Sequence, residues 1–395
     1  MKRLVLCCDG TWNKADVGTV TNIEKISRCV ETSSDESGAE QIVQYIRGVG
    51  TSYRADKLLG GWLGLGLTAS ILDAYRWLAL NYSEGDQIFI FGFSRGAYMA
   101  RSLGGMITKV GLLRKGGGFG PELLGEARRV YRTTDNAAEA AAFREKHCYP
   151  DGPAIEFLGV FDTVGALGLP APLRWWHPNF HNVELSKQVR HGRHALAIDE
   201  RRRAFAPSVW QIDASETIDP GQIRQVWFRG AHSDVGGGYQ ENGLSSITLK
   251  WMINEAKGCG LVFNAEQVAA EIAPLTPENL VIHNSMKLIY RVANLFYLPS
   301  SKGKFRQGLR LLQLDEGQPA SKLYANARVS RWALDEPAPP ESLGAESRNV
   351  GWFRQQLQRS WQQAVEPDSD PLDGGPAQAA ETPVARMGQS AGMVA

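Results

Sequence analysis

The chain has 395 residues, and its 43 Lys and Arg against 42 Asp and Glu leave a formal net charge of +1. That length suits one large α/β domain with additions or two medium ones, and the balanced charge supplies no overall field to gather nucleic acid. The five cysteines are odd in number and scattered, with no Cys-x-x-Cys pair, which argues against a disulfide framework or a zinc site and for a reducing compartment.

In chain order, RLVLCC (3–8) reads as a buried strand that gives way to the polar loop DGTWN. The apolar run is shorter than the core of a secretory signal, about 7–15 residues. No later stretch reaches the roughly 18 apolar residues that span a bilayer. The expectation is a cytoplasmic protein without signal peptide or transmembrane segment, or one exported by a route other than Sec. GGWLGLGL (60–67) lacks the lysine of a phosphate loop and reads as a tight approach to a helix over 67–82. QIFIFGF (87–93), IEFLGVF (155–161) and IRQVWF (223–228) are further buried strands, and 96–109 and 247–257 are helix-like. Strand alternating with helix predicts an α/β fold of the α/β-hydrolase kind, a mostly parallel sheet with helices on both faces.

Residues 112–150 and the proline- and aromatic-rich 168–190 read as lid-like insertions over the sheet edge. The basic segment RHGRHALAIDERRRAFAP (190–207) has the solvated helix face as its default reading. The sharper one has Arg201, Arg202 and Arg203 holding an anionic part of a substrate. SMKLIYRVANLFYL (285–298) reads as core or lid packing by default and leaves open a peripheral membrane contact. The expected organisation is a catalytic domain over 1–312, an extension packed on it over 313–365, and a polar, aromatic-poor disordered tail over 366–395.

The strands end in loops bearing Asp9, Ser94, Asp162 and His232, and carboxyl ends of strands are where open α/β sheets build sites. GFSRG (92–96) matches the G-x-S-x-G turn that lifts a serine above the sheet. Such a serine needs an imidazole to take its proton and a carboxylate to orient the imidazole. Ser94, Asp162 and His232 follow the order Ser, Asp, His found in α/β-hydrolases. Rival readings make Ser94 a helix cap and Asp162 a turn cap, or give the base to His177, His181, His191 or His194. His232 is preferred because it follows a strand within a glycine-rich loop. Backbone amides of Arg95 and of Gly10 or Thr11 are the candidate oxyanion donors. Asp9 either braces that loop or forms an Asx-turn. Asp234 either orients the base loop or joins Asp9 and Asp162 around a hard cation, although no metal or other cofactor is required by the serine reading.

Together the motifs DGTWN, GVGT, GFSRGAYMAR, FDTVGALG, HALAIDERR and GAHSDVGGGYQ resemble the bacterial and fungal hydrolase family typified by type VI secretion phospholipase effectors, the Tle-type lipases. The similarity runs from about Lys2 to about Gly260. It implies an α/β-hydrolase fold and hydrolysis of a lipid or small ester, with Ser94 as nucleophile, Asp162 as acid and His232 as base. It leaves open a secretion machine or an immunity protein as a partner. The effectors carry an extra membrane-associating region, for which little lies beyond residue 260. Two other readings stay open: a carboxylate-metal phosphoester hydrolase using Asp9, Asp162, Asp234 and His232, and a hydrolase scaffold that binds a partner without catalysis.

Overall fold

The computed structural model describes residues 1–10, 20–32, 38–48, 62–116, 120–133, 137–164, 188–202, 205, 207–210, 221–276, 278–285, 327–330 and 365–366. Strands β1 (Lys2–Cys8), β2 (Glu40–Ile46), β3 (Gln87–Phe93), β4 (Ile155–Phe161), β5 (Val189–Ala197), β6 (Ile223–Phe228), β7 (Ala327–Ser330) and β8 (Val365–Glu366) form one sheet. Their spatial order is β2-β1-β3-β4-β5-β6-β7-β8, and every neighbouring pair is parallel.

The solid apolar character of β1 and β3 follows from cover on both faces. Alternate residues split between two cores, as the two-residue pleat requires. Leu4, Leu6, Ile88 and Ile90 face one cluster with Tyr75 and Leu78 of α2 (Trp62–Asn81) and Leu103 and Ile107 of α3 (Arg95–Val110). Val5, Cys7, Phe89 and Phe91 face the other, with Ile23 and Ile26 of α1 (Asn22–Cys29) and Leu249 and Met252 of α7 (Gly243–Gly258). Because β1 has β2 on one side and β3 on the other, the chain reverses its direction of travel across the sheet there. Such a switch point leaves a crevice at the carboxyl ends of β1 and β3, directly beside Asp9 and Ser94.

The sequence reading names four of the eight strands and lacks β2, β5, β7 and β8. The segment read by default as a solvated helix face holds β5, an inner strand. Its charges are tolerated because Arg193 is buried against Glu255 and the Gly221 and Gln222 carbonyls, while Arg190 reaches Glu156 at 2.7 Å. The edge strand β2 is mostly half-buried, so its glutamines break the apolar run that marks the other strands. Where the sequence suggested a cover for the sheet edge over 112–150, the described residues form α4 (Pro121–Arg132) and α5 (Ala137–His147). They bury Ala127, Val130, Ala140 and Phe143 in the α2–α3 core, and Lys109 near the end of α3 ties them by bonds to the Tyr131 and Thr133 carbonyls. Residues 168–187, 286–326 and 367–395 lie outside the described residues, and with them most of the second insertion, the apolar-basic segment and the tail. Among the described residues no helix is long and apolar enough to cross a membrane.

Candidate active site

The turn between β3 and α3 is as tight as its glycines suggest. A Cβ on Gly92 would lie 2.6 Å from the Gly96 carbonyl oxygen, and one on Gly96 would lie 2.1 Å from the Cys8 carbonyl oxygen. Both are closer than atoms can approach, so the elbow is pressed onto its own helix and onto the end of β1. Ser94 itself takes φ +58°, a left-handed conformation costing a non-glycine residue about 1–3 kcal/mol and concentrated at functional sites. Although Ser94 occupies the position before α3, its hydroxyl makes no capping hydrogen bond. That removes the helix-cap reading. The Ser94 amide donates to the Phe161 carbonyl at 3.1 Å, extending the β3–β4 ladder by one residue.

Asp162 hangs from the next ladder in the same way, its amide donating to the Ala195 carbonyl at 2.7 Å. It too has positive φ, +37°, and is fully buried. Its Oδ1 accepts from the Ala197 amide at 3.0 Å and its Oδ2 lies 2.6 Å from His232 Nδ1. A carboxylate engaged with β5 and an imidazole 70 residues away is no local turn cap. His232 opens a short helix, α6 (His232–Gly236), where the sequence suggested a loop. Its ring centroid lies 4.7 Å from that of Phe93, the residue preceding Ser94, and 4.9 Å from that of Phe205. The elbow, the acid and the imidazole therefore meet at the carboxyl ends of β3, β4 and β6.

The competing histidines sit elsewhere. His194 is buried inside β5, where its Nε2 accepts from the Thr163 amide at 3.2 Å and its ring lies edge-on to Trp210. His191 faces Glu156 at 3.9 Å near the opposite end of the sheet; burial first, then Arg193, lowers its pKa. His177 and His181 lie outside the described residues.

Asp9 closes the β1 side. Its Oδ2 accepts from the Tyr45 hydroxyl at 2.5 Å and the Thr21 hydroxyl at 2.7 Å, and its Oδ1 from the Gly10 amide at 2.6 Å. Burial pushes its carboxyl above the usual carboxylate range, and those three donors pull it part of the way back. In this structure the Gly10 amide hydrogen, an expected oxyanion donor, is engaged by Asp9. Thr11 lies outside the described residues. Arg95 opens α3, and N–H groups of a helix's first turn point toward its start, here the elbow.

The remaining carboxylates have separate tasks. Asp234 Oδ2 accepts from the Ala231 amide at 2.8 Å and the His283 amide at 3.0 Å, while Oδ1 meets His283 Nδ1 at 2.6 Å. Asp9, Asp162 and Asp234 thus serve different partners. Among the described residues no three His, Cys, Asp or Glu gather as a cation site. The arginine run also departs from expectation. Arg202 forks onto Glu200 through Nε at 2.9 Å and Nη2 at 2.8 Å, because the turn after β5 brings its own carboxylate under the guanidinium. Arg201 is exposed, and Arg203 lies outside the described residues. Glu200, Asp199 and His283 were missed as parts of this site; Asp199, which takes the Gly230 amide at 2.7 Å and Arg229 Nε at 3.0 Å, looked in sequence like a counter-charge to the basic run.

Residues 2–255 match the family described as the catalytic domain of Tle1-like phospholipase effectors of the type VI secretion system. The chain belongs to that family. A curated relative, an uncharacterized protein of Saccharomyces cerevisiae, is 32% identical over 228 residues, which cover 52% of this chain and 32% of that protein. The chain thus spans about a third of that relative's length. Two solved structures are more distant. The Tle1 effector bound to the VgrG spike of the type VI secretion system is 15% identical, with TM-score 0.44, over 74% of this chain and 78% of that one. An uncharacterized Pseudomonas aeruginosa protein is 19% identical, with TM-score 0.36, over 70% and 52%.

Proposed function

We propose that this chain hydrolyses carboxylic esters, with lipid or phospholipid acyl esters as the substrate class, through an acyl-enzyme on Ser94. The observation that carries the reading is the 2.6 Å bond between Asp162 Oδ2 and His232 Nδ1, placed beside a strained serine turn. Asp162 selects the tautomer that leaves Nε2 to face the serine. Ser94 Oγ attacks the acyl carbon and Nε2 takes its proton, while the buried Asp162 carboxylate stabilises the imidazolium that forms. The Arg95 amide meets the negative charge that develops on the acyl oxygen. Collapse of that intermediate expels the alcohol with the proton from Nε2. Water then attacks the acyl carbon of the acyl-serine, again giving a proton to Nε2, and collapse of this second intermediate breaks the bond to Ser94 Oγ, which takes the proton back from Nε2 as the carboxylic acid leaves.

Family membership supports the lipid as substrate class. The carboxylate-metal reading loses support from the separate engagements of Asp9, Asp162 and Asp234. A fluorophosphonate probe tests the nucleophile: it labels the wild type and not Ser94→Ala. Hydrolysis of phospholipids and of short-chain p-nitrophenyl esters continues in the presence of a chelator. Labelling that persists in Ser94→Ala, or turnover abolished by chelation, contradicts the reading.

A further inference from the structure

The motif HALAIDERR leads β5 out of the centre of the sheet, yet none of its side chains takes a step in the proposed chemistry. Glu200, at its end, is 1% exposed and lies between the strand that carries the acid and the strand that carries the base. Its Oε1 accepts from the Arg202 amide at 2.7 Å, Arg202 Nε at 2.9 Å and the Ser285 hydroxyl at 2.9 Å. Its Oε2 accepts from Arg202 Nη2 at 2.8 Å and from the backbone amide of His232 at 3.2 Å. One buried carboxylate therefore holds both an arginine and the main chain of the candidate base.

The arginine continues the chain of contacts. Its guanidinium carbon lies 3.6 Å from the centroid of the Phe205 ring, and the Phe205 amide donates to the Arg202 carbonyl at 2.9 Å. Phe205 meets the His232 imidazole edge-on, at 4.9 Å and 78°, while Phe93 leans on the same imidazole at 4.7 Å and 33°. With Asp162 holding Nδ1, the ring is fixed at its backbone, at one nitrogen and by two aromatic neighbours. A reacting group must be held to a fraction of an ångström by neighbours whose own conformations are locked.

We infer that Glu200 is the positioning residue of His232, acting directly on its backbone amide and, through the Arg202–Phe205 stack, on its ring. The inference rests on His232 being the base. Glu200 touches no substrate; it sets where Nε2 sits. A planar, forked guanidinium is needed for the second route, because an ammonium neither forks onto a carboxylate nor lies flat on a ring.

Glu200→Gln and Arg202→Lys test this in the full chain. Gln keeps the shape but offers one acceptor oxygen where two are used. A misplacement near 1 Å costs about a hundredfold in rate, so Glu200→Gln lowers kcat and the rate of Ser94 labelling by fluorophosphonate by about that factor, with KM within about twofold. Arg202→Lys loses about tenfold, and adding Phe205→Leu to it loses little more, since both act through one stack. The downfield proton resonance of His232 Nδ1, read by NMR, broadens or vanishes in both single variants and needs no turnover to be seen. Unchanged labelling rate per active site, with an unchanged resonance, overturns the inference whatever happens to the melting temperature. A rise in KM at constant kcat overturns it too. Failure of the wild type to label defeats the serine-hydrolase reading instead, and the resonance then still decides whether Glu200 fixes the ring.

Discussion

Two Asp–His pairs share one short helix, through His232 in one and Asp234 in the other, and their Nδ1–Oδ distances are the same, 2.6 Å. In each the carboxylate is completely buried. What differs is the second nitrogen. His283 Nε2 meets Glu241 at 3.2 Å, and its ring is stacked on Tyr239 with centroids 3.8 Å apart. His232 instead lies between Phe93 and Phe205 beside the serine turn. The Asp234–His283 pair closes a loop: Asp234 also takes the Ala231 and His283 amides, and so braces the backbone that presents His232. On the proposed reading, the first pair supplies the base and the second is a strut.

The largest contrast comes from deleting each imidazole. His232→Ala lowers kcat toward esters by about a millionfold, the order seen when a triad base is removed, whereas His283→Ala leaves kcat within about tenfold. Equal losses from both variants would erase the distinction.

Neutralising the two carboxylates sharpens it. Asp162→Asn loses about ten-thousandfold in kcat through the wrong tautomer. Asp234→Asn instead shows itself in stability, by about 1–3 kcal/mol, since a buried acceptor of amide hydrogen bonds is lost. Denaturant unfolding beside steady-state kinetics separates the two outcomes.

The smallest effect is in pH dependence. Burial alone would lower the pKa of His283, but the Asp234 and Glu241 carboxylates outweigh it and raise it above its ordinary value. A raised folded-state pKa means stability that is fully present below the unfolded value, about 6.5, and lost as pH rises through the folded value. Melting temperatures of the wild type and His283→Gln therefore differ more at pH 6 than at pH 8. A difference that grows with pH would show that Asp234 holds a neutral imidazole.

Much of this was legible in sequence, for physical reasons that also explain the gaps. Continuous apolar runs marked β1, β3, β4 and β6 because a doubly covered parallel sheet demands them, and the paired glycines marked the elbow because only they fit there. β5 stayed hidden because Arg190, His191 and Arg193 look solvent-facing until Glu156 and Glu255 arrive from elsewhere in the fold. Asp234 was visible two residues from His232, but its partner lies 49 residues further on, beyond any local spacing. Glu200 was masked by the arginines around it: next to a run of positive charge it reads as neutralisation, and nothing in the string shows that it turns back under Arg202 and onto the His232 amide.

The claim that His232 serves Ser94 is tested most directly by trapping the acyl group. When a slowly turned-over p-nitrophenyl ester is quenched during the burst and the digest is mapped by mass spectrometry, the acyl adduct is found on the peptide bearing Ser94. It forms in His283→Ala and is absent from His232→Ala. An adduct on another side chain, or one that forms as fast without the imidazole at 232, would contradict the account.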